Sequence, residues 1–408
     1  MAKANQETLS REEKGRLIAE TYPIQKMCNC YKVPSQFGSG TYTVKIDSTK
    51  EECDCSDFER RGSKCKHIHA VEYILKNEIR IDKEGNTVIT QTQTITYSQN
   101  WQAYDKASTV QKTEFLRLLG NLVKNVKEPA YKFGRPQISM QDLVFASALK
   151  VYSTFSLRRF VSDLAIARDN NYVSTKPCYA SIGHFMQKEE ITPILNDLIT
   201  ISSLPLASVE TKFAVDSSGF STCRFARYFS YKHQKDLKYR QWIKAHLSVG
   251  VKTNIVTAVR ITNEYSNDCP EFKPLIEKTA ENFKIEEATA DKAYSSRENY
   301  NLVNSLGGTA FIPFKEHATD KARGSFTWQR MFHYCQYRRE EFMQHYHLRS
   351  NVETTNHMIK TKFGDYLRSK SKTAQINELL LKILCHNICV LIQEMFELGI
   401  NVELDVKK

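Results

Sequence analysis

Two sets of side chains in this sequence have types and spacings that can do chemistry. The first is Cys53-Asp-Cys55 followed, after the loop 56–64, by Cys65-Lys-His67. Three thiolates and one imidazole make a closed tetrahedral set, the ligand count of a structural zinc site. Binding energy at such a site becomes folding energy, so it can hold together a domain too small to bury an adequate core. The C-x-C spacing of the first pair is tighter than the common zinc pattern, so ligand counting alone leaves the assignment open. Cys28, Cys30 and His69 stand nearby without two further ligands for a second ion. They read as free side chains, with His69 on the helix that follows.

The second set is acidic. Asp216 closes the apolar run FAVD, and Asp291 closes EATAD. Open α/β sheets place their sites at such strand ends, although either aspartate alone would be ordinary there. Two carboxylates from neighbouring strands and a third from a helix can hold two divalent cations that clamp the attacking and leaving oxygens of a phosphodiester. Magnesium, or manganese in its place, suits carboxylate donors. Glu353 supplies the third acid. With Tyr346, Arg349 and Lys360 it falls within roughly a 60° arc of a helix at about 100° per residue. Leu348, Val352 and Ile359 cluster roughly a third of a turn away, on a face that can pack on a core. A carboxylate flanked by cations and a ring suits a helix face working on DNA. A solvated charged face has the same spacing, and spacing alone favours it.

These side chains need elements to position them, and the chain divides into regions that supply them. Residues 1–85 carry the cysteine cluster and end in the helix-like HIHAVEYILKNEIR. A Thr/Gln-rich linker covers 86–104. Residues 105–206 read as helices, with MQDLVFASALKVY and SLRRFVSDLAIARDN joined by the short turn Ser153–Phe155 and Ser156 placed as an N-cap. That pairing suggests a helix-turn-helix, with Arg158 and Arg159 set for phosphate or base contact; any helical hairpin looks similar. From 207 to 408 the period changes. KFAVD, the hairpin AHLSVGV/NIVTAVRIT, EEATAD and TAFIPF read as strands, EFKPLIEKTAENF and SSRENYNLVNSLG as helices, and the remainder as helical. Such alternation defines an α/β layer architecture.

Composition narrows the partners. At 408 residues two or three domains are expected. Lys and Arg exceed Asp and Glu by a formal +12, which points to a polyanion. The most apolar stretch, Leu379 to Leu398, is interrupted by Lys382, His386, Asn387, Gln393, Glu394 and Glu397 and reads as a buried helix, so a membrane partner is not expected. The beginning of the chain lacks a signal-peptide core, and the 11 cysteines are odd in number, so free thiols and a cytoplasmic protein are expected.

Two resemblances sharpen this. The segment Tyr42–Tyr73, with C-x-C, a variable loop and C-x-H between a β-rich run and a helix, resembles a SWIM zinc finger. The resemblance implies zinc on Cys53, Cys55, Cys65 and His67, and a module that contacts DNA or protein. Tyr346-x2-Arg349-x3-Glu353-x6-Lys360 agrees at every fixed position with the Y-(2)-R-(3)-E-(6)-K signature of a large group of insertion-sequence DDE transposases. That resemblance spans roughly Lys212 to Leu398. It implies a ribonuclease-H-like core, a mixed five-stranded sheet with helices, in which Asp216 on the first strand, Asp291 on the fourth and Glu353 on the last helix bind Mg²⁺ or Mn²⁺. It also implies a helical DNA-binding domain in front. The interval from Asp291 to Glu353 leaves no room for the large β insertion of some relatives, and a SWIM finger is not a usual part of the family.

The segment after Asp216 interleaves Arg224, Arg227, Lys232, Lys235, Lys238 and Arg240 with aromatic rings up to Trp242. Such a segment can grip backbone and stack on unpaired bases, with Trp242 and Tyr346 as stacking candidates by resemblance; a basic hairpin with inward rings reads the same. The expected function is transposition of double-stranded DNA: cleavage at transposon ends and strand transfer, with a homodimer pairing the two ends. The alternatives are a DNA-binding regulator related to transposases and a structure-specific nuclease on the same fold.

Overall fold

The computed structural model describes residues 10–404 apart from 23, 28–29, 36–39, 47–50, 78–79, 82–86, 89–99, 131–132, 135–136, 223–231 and 233–241. Cys28, Arg224, Arg227, Lys235, Lys238 and Arg240 lie outside the described residues. Contacts divide the chain into two units, Met1–Gln93 and Thr94–Lys408. The helical stretch expected over 105–206 and the α/β stretch expected over 207–408 therefore fall in one unit.

In the first unit, helix α1 (Arg11–Thr21) starts at a capping box in which Ser10 and Glu13 satisfy each other's backbone N–H. Four short strands follow, β1 (Gln25–Lys26), β2 (Tyr31–Pro34), β3 (Thr41–Ile46) and β4 (Glu51–Cys53), paired antiparallel in sequence order. Helix α2 (Ser56–Arg61) and helix α3 (Lys66–Asn77) come next, then a two-stranded ribbon of β5 (Arg80–Ile81) and β6 (Thr87–Val88). Helices α1 and α3 approach closely because Gly15 has no side chain: a Cβ there would sit 2.6 Å from the His69 Cβ and 2.8 Å from the Lys66 carbonyl oxygen. The apolar core is small, built on Ile18, Ile24, Val33, Val44, Ile68 and Val71 with the three cysteines among them.

The second unit begins with helices α4 (Trp101–Val123), α5 (Met140–Tyr152), α6 (Leu157–Asp169), α7 (Tyr179–Phe185) and α8 (Ile191–Ser203). The α5–α6 hairpin turns where expected, with Thr154 at φ 54° in the turn. Ser156 holds the N-cap position of α6, but its side chain makes no capping hydrogen bond. Strands β7 (Lys212–Ser221), β8 (Trp242–Gly250) and β9 (Val256–Asn263), helix α9 (Cys269–Ala280), strand β10 (Glu287–Ala290), helix α10 (Arg297–Ser305) and strand β11 (Thr309–Phe311) follow. The last elements are helices α11 (Phe326–Tyr337), α12 (Arg339–Tyr346), α13 (Ser350–Phe363) and α14 (Lys372–Glu397).

The five strands form one sheet in the order β11-β10-β7-β8-β9. β7 is central, parallel to β10, which is parallel to β11, and antiparallel to β8, which pairs antiparallel with β9. This is the ribonuclease-H-like mixed sheet. Alternation along the strands separates two cores. Ala214, Phe220, Ile243, Ala245, Leu247 and Val249 join the apolar faces of α4, α5, α8, α13 and α14 in one cluster. Phe213 and Val215 join α9, α10, α11 and α12 in the other.

Helix α14 is long and apolar enough to cross a membrane by composition, yet most of it is buried inside the fold. Three of the polar residues that interrupt it have internal partners. Asn387 accepts from Val256 N at 3.0 Å and donates to Val256 O at 2.8 Å, pairing with the edge strand β9. Lys382 donates to the Gly364 and Tyr366 carbonyls, and His386 contacts the Asn254 carbonyl at 2.9 Å.

Candidate metal centres

In the first unit the sulfurs of Cys53, Cys55 and Cys65 and a ring nitrogen of His67 all lie within 4.8 Å of one another, and all four residues are buried. Each ligand is delivered by the end of an element. Cys53 ends β4, Cys55 is the N-cap of α2, and Cys65 immediately precedes α3, whose first turn carries His67. Cys55 and Cys65 stand at helix N-termini, where backbone N–H groups offer partial positive charge, although burial pushes the Cys55 thiol up. His67 Nδ1 stands 3.8 Å from Cys53 Sγ and 3.9 Å from Cys65 Sγ. The edges of a zinc tetrahedron with sulfur and nitrogen ligands are about 3.5–3.8 Å, so the set fits a zinc ion with little adjustment. Hydrogen bonding from Cys53 pulls the Cys65 thiol down, and the same contact pushes Cys53 up. His69 sits on α3 as expected, with Nδ1 3.2 Å from Glu72 rather than in the ligand set. Cys30 is free and half-buried, apart from the cluster. The sequence reading missed Tyr42, whose ring stacks on His67 with centroids 4.2 Å apart. Its place in the aromatic run before the first cysteine was the available signal.

The acidic site is built by register. Asp216 is not the end of β7, as the apolar run suggested. It is the fifth residue of a ten-residue strand that continues to Ser221, because β8 pairs with it throughout. What ends at this level is the parallel neighbour: Ala290, the last residue of β10, pairs with Val215. The next residue on each strand is an aspartate, and Asp291 turns away as N-cap of the turn Lys292–Tyr294, accepting from Lys292 N at 2.6 Å. Beyond it the segment 365–367 takes over beside β7, with Ser221 N donating to Asp365 O and Leu367 N to Ser221 O. Among the described residues, the edge of β7 from Asp216 to Phe220 is therefore left without a parallel strand beside it.

The third acid comes from the helical run above. Side-chain alternation puts Asp216 on the same face as Ala214 and Phe220, which is the face that buries Leu348, Val352 and Ile359. The run expected as one helix is α12, a tight turn His347–Arg349, and α13. Arg349 Nη1 reaches Asp216 Oδ2 at 3.5 Å, and its Nη2 donates to Glu353 Oε1. Its guanidinium lies 6.0 Å from the Tyr346 ring centroid. Burial pushes the Asp216 carboxyl up, opposed by the Ser217 backbone and Arg349 and reinforced by the charges of Glu353 and Asp291. All three acids thus act on one place. Lys360 is set further along, its ammonium 5.2 Å from the Phe220 ring centroid and held down by burial.

Among the described residues, the group of candidate ligands that closes on a metal-sized spot is the cysteine set, and the three carboxylates do not form such a group. As a donor set they fit a hard divalent cation: oxygen ligands only, with three negative charges and one guanidinium in contact. Sequence reading also missed Tyr294, three residues past Asp291. It is buried beside Ser217, and burial first, then the charges of Asp268, Asp216 and Asp291, pushes its hydroxyl well up.

The remaining predicted residues are dispersed. Trp242 opens β8, 39% exposed, with its ring over Gly219. Arg158 and Arg159 lie exposed on the first turn of α6, neither ion-paired among the described residues, and Arg158 stands over the Tyr179 ring at 5.5 Å.

The chain thus pairs a zinc-type cysteine set with a ribonuclease-H-like sheet. Residues 207–388 match the family model of the transposase DDE domain, and residues 42–76 match that of the SWIM zinc finger. Among solved structures, the cryo-EM piggyBac transposase synaptic complex with hairpin DNA is similar over 71% of this chain and 74% of that chain, with 10% sequence identity and a TM-score of 0.35. No curated protein matches the chain.

Proposed function

We propose that this protein is a DNA transposase that cuts at the ends of a mobile element and joins them to target DNA. The observation that supports the reading is the register at Val215–Ala290, after which Asp216 and Asp291 follow at the same level, with Arg349 linking Asp216 to Glu353. In this reading Asp216, Asp291 and Glu353 hold divalent metal, Mg²⁺ or Mn²⁺. Metal bound there would polarise the scissile phosphate and supply a nucleophile at neutral pH. The chain's own residues bind and orient the substrate. The edge of β7 receives the phosphodiester, Arg349 and Lys360 hold neighbouring phosphates, and Trp242 and Tyr346 offer rings to an unstacked base. Arg158 and Arg159, exposed on the surface of α6, contact the duplex, as do Lys235, Lys238 and Arg240 after β7. The finger carries a structural zinc, and two copies act together because two DNA ends must be paired.

The test uses supercoiled plasmid carrying the reading frame with its flanking DNA, incubated with protein and Mg²⁺ or Mn²⁺. Wild type and Glu353→Gln run side by side, with products mapped to the nucleotide. Cuts at the element ends and joined products, lost in the variant, support the reading. Binding without cleavage by zinc-loaded wild type would overturn it in favour of a regulator, and cleavage without joining in favour of a nuclease.

A further inference from the structure

Arg349 carries the expected charge for gripping a phosphate, but its side chain is turned inward. The guanidinium lies between Asp216, at 3.5 Å, and Glu353, with its side chain 20% exposed. We propose that Arg349 is the resident counter-charge of the acidic site, exchanged for divalent metal when the site loads and thereby freed for a DNA phosphate. This rests on the reading of Asp216, Asp291 and Glu353 as metal-binding acids.

Three observations support exchange rather than a fixed structural pair. The charges do not balance: one guanidinium serves a place on which three carboxylates act. Cations entering among those carboxylates meet Arg349 as a like charge, and like charges at a few ångströms in a partly buried site repel strongly. The anchoring is also unequal. Leu348 and Val352 on either side are 5% and 0% exposed and hold the backbone in the core, while Arg349 ends the tight turn between α12 and α13. A side-chain rotation therefore moves the charge without moving the helix. Finally, the Asp216 contact is long for a charge-assisted hydrogen bond, which ordinarily measures about 2.7–2.9 Å, so that half of the pairing is loose.

Two consequences follow by linkage. Metal binding by the DNA-free protein is weaker than the acids alone would allow. A DNA phosphate that captures Arg349 raises metal affinity, and metal raises DNA affinity by the same factor.

The experiment titrates Mn²⁺ into full-length, zinc-loaded protein without DNA, following the electron paramagnetic resonance signal of free Mn²⁺. Wild type is compared with Asp216→Asn, Arg349→Gln and Arg349→Met. Zinc content and cooperative thermal unfolding are checked for each. The expected result is a Mn²⁺ site lost in Asp216→Asn and bound roughly tenfold or more tightly in the Arg349 variants. DNA should then strengthen Mn²⁺ binding in wild type more than in Arg349→Gln. Equal or weaker Mn²⁺ affinity in folded Arg349 variants would overturn the exchange while leaving the metal-binding reading standing. Absence of any Mn²⁺ site that depends on Asp216 would overturn both, so the two failures are told apart. Should Arg349→Gln not fold, Arg349→Met, closer to arginine in apolar length, carries the same comparison.

Discussion

Val215 and Ala290 are paired across two parallel strands, and that one position brings the aspartate after each to the same level. The side chains of Asp216 and Asp291 play different structural parts from there. Asp216 sits on the core-facing side of β7 with its carboxyl pushed up by burial, whereas Asp291 caps a turn in a half-buried position.

Substituting either aspartate with asparagine should lower metal-dependent DNA cleavage by roughly a hundredfold or more. The stabilities should part. Asp216→Asn removes a charge the fold resists burying, so with chelator present its melting temperature should equal or exceed that of wild type. Asp291→Asn should leave it near the wild-type value. Thermal unfolding of both variants in EDTA, beside a cleavage assay in Mg²⁺, checks this. A large drop in melting temperature for Asp216→Asn would contradict the assignment of Asp216 as a carboxylate held at a cost for function.

Zinc should be removable by ligand and not by neighbour. Cys65→Ser should abolish stoichiometric zinc and unfold the first unit, since its core is too small to stand without the several kcal/mol that metal binding contributes. His69→Ala should keep zinc, because His69 faces Glu72. Elemental analysis and circular dichroism of the two variants decide between them.

Much of this was legible beforehand for identifiable reasons. The ligand set Cys53, Cys55, Cys65 and His67 is local in sequence, so its spacing fixes its geometry. KFAVD and EATAD are short apolar runs, each closed by an acid, and read as strands. What sequence could not give was the true extent of β7, because Asp216, Ser217, Ser218 and Gly219 look like a loop until β8 is there to pair with them. Nor could it foresee that Arg349 turns toward Asp216, a residue distant in the chain. Tyr294 escaped because a tyrosine three residues after an acid carries no periodic signal. Local patterns were readable, and long-range pairings became readable only once folded.

Gly15→Ala should weaken the first unit by about 1–3 kcal/mol, the usual cost of overpacking, because the new methyl meets His69 Cβ and the Lys66 carbonyl. The clash is next to the segment that delivers Cys65 and His67, so zinc affinity should fall as well. Competition with a chromophoric chelator would report it. Unchanged affinity would mean that α1 and α3 part easily.

Glu394 on α14 gives a pH signature. Burial, then Glu397 and Glu210, raises its carboxyl from 4.5 to about 7. The neutral form is the one the fold favours, so its contribution is fully present below about pH 4.5 and is lost as pH rises through about 7. Glu394→Gln should therefore raise stability at pH 8 by about 1–3 kcal/mol and change it little at pH 4.5. Urea midpoints at the two pH values test the sign.

The cluster that buries Ala214, Phe220, Leu247 and Val249 also buries Phe115, Leu119, Phe145 and Leu198 from the helices before the sheet. Those helices help to cover the sheet face from which Asp216 projects. A fragment beginning at residue 207 would keep α13 and α14 on that face but bare the apolar surface that α4, α5 and α8 cover, and should aggregate rather than cut. Evolution of this protein cannot exchange the front helices as a cassette while keeping the chemistry behind them. Any change in what they recognise has to be made on their outer surfaces, with the inner faces left as they are.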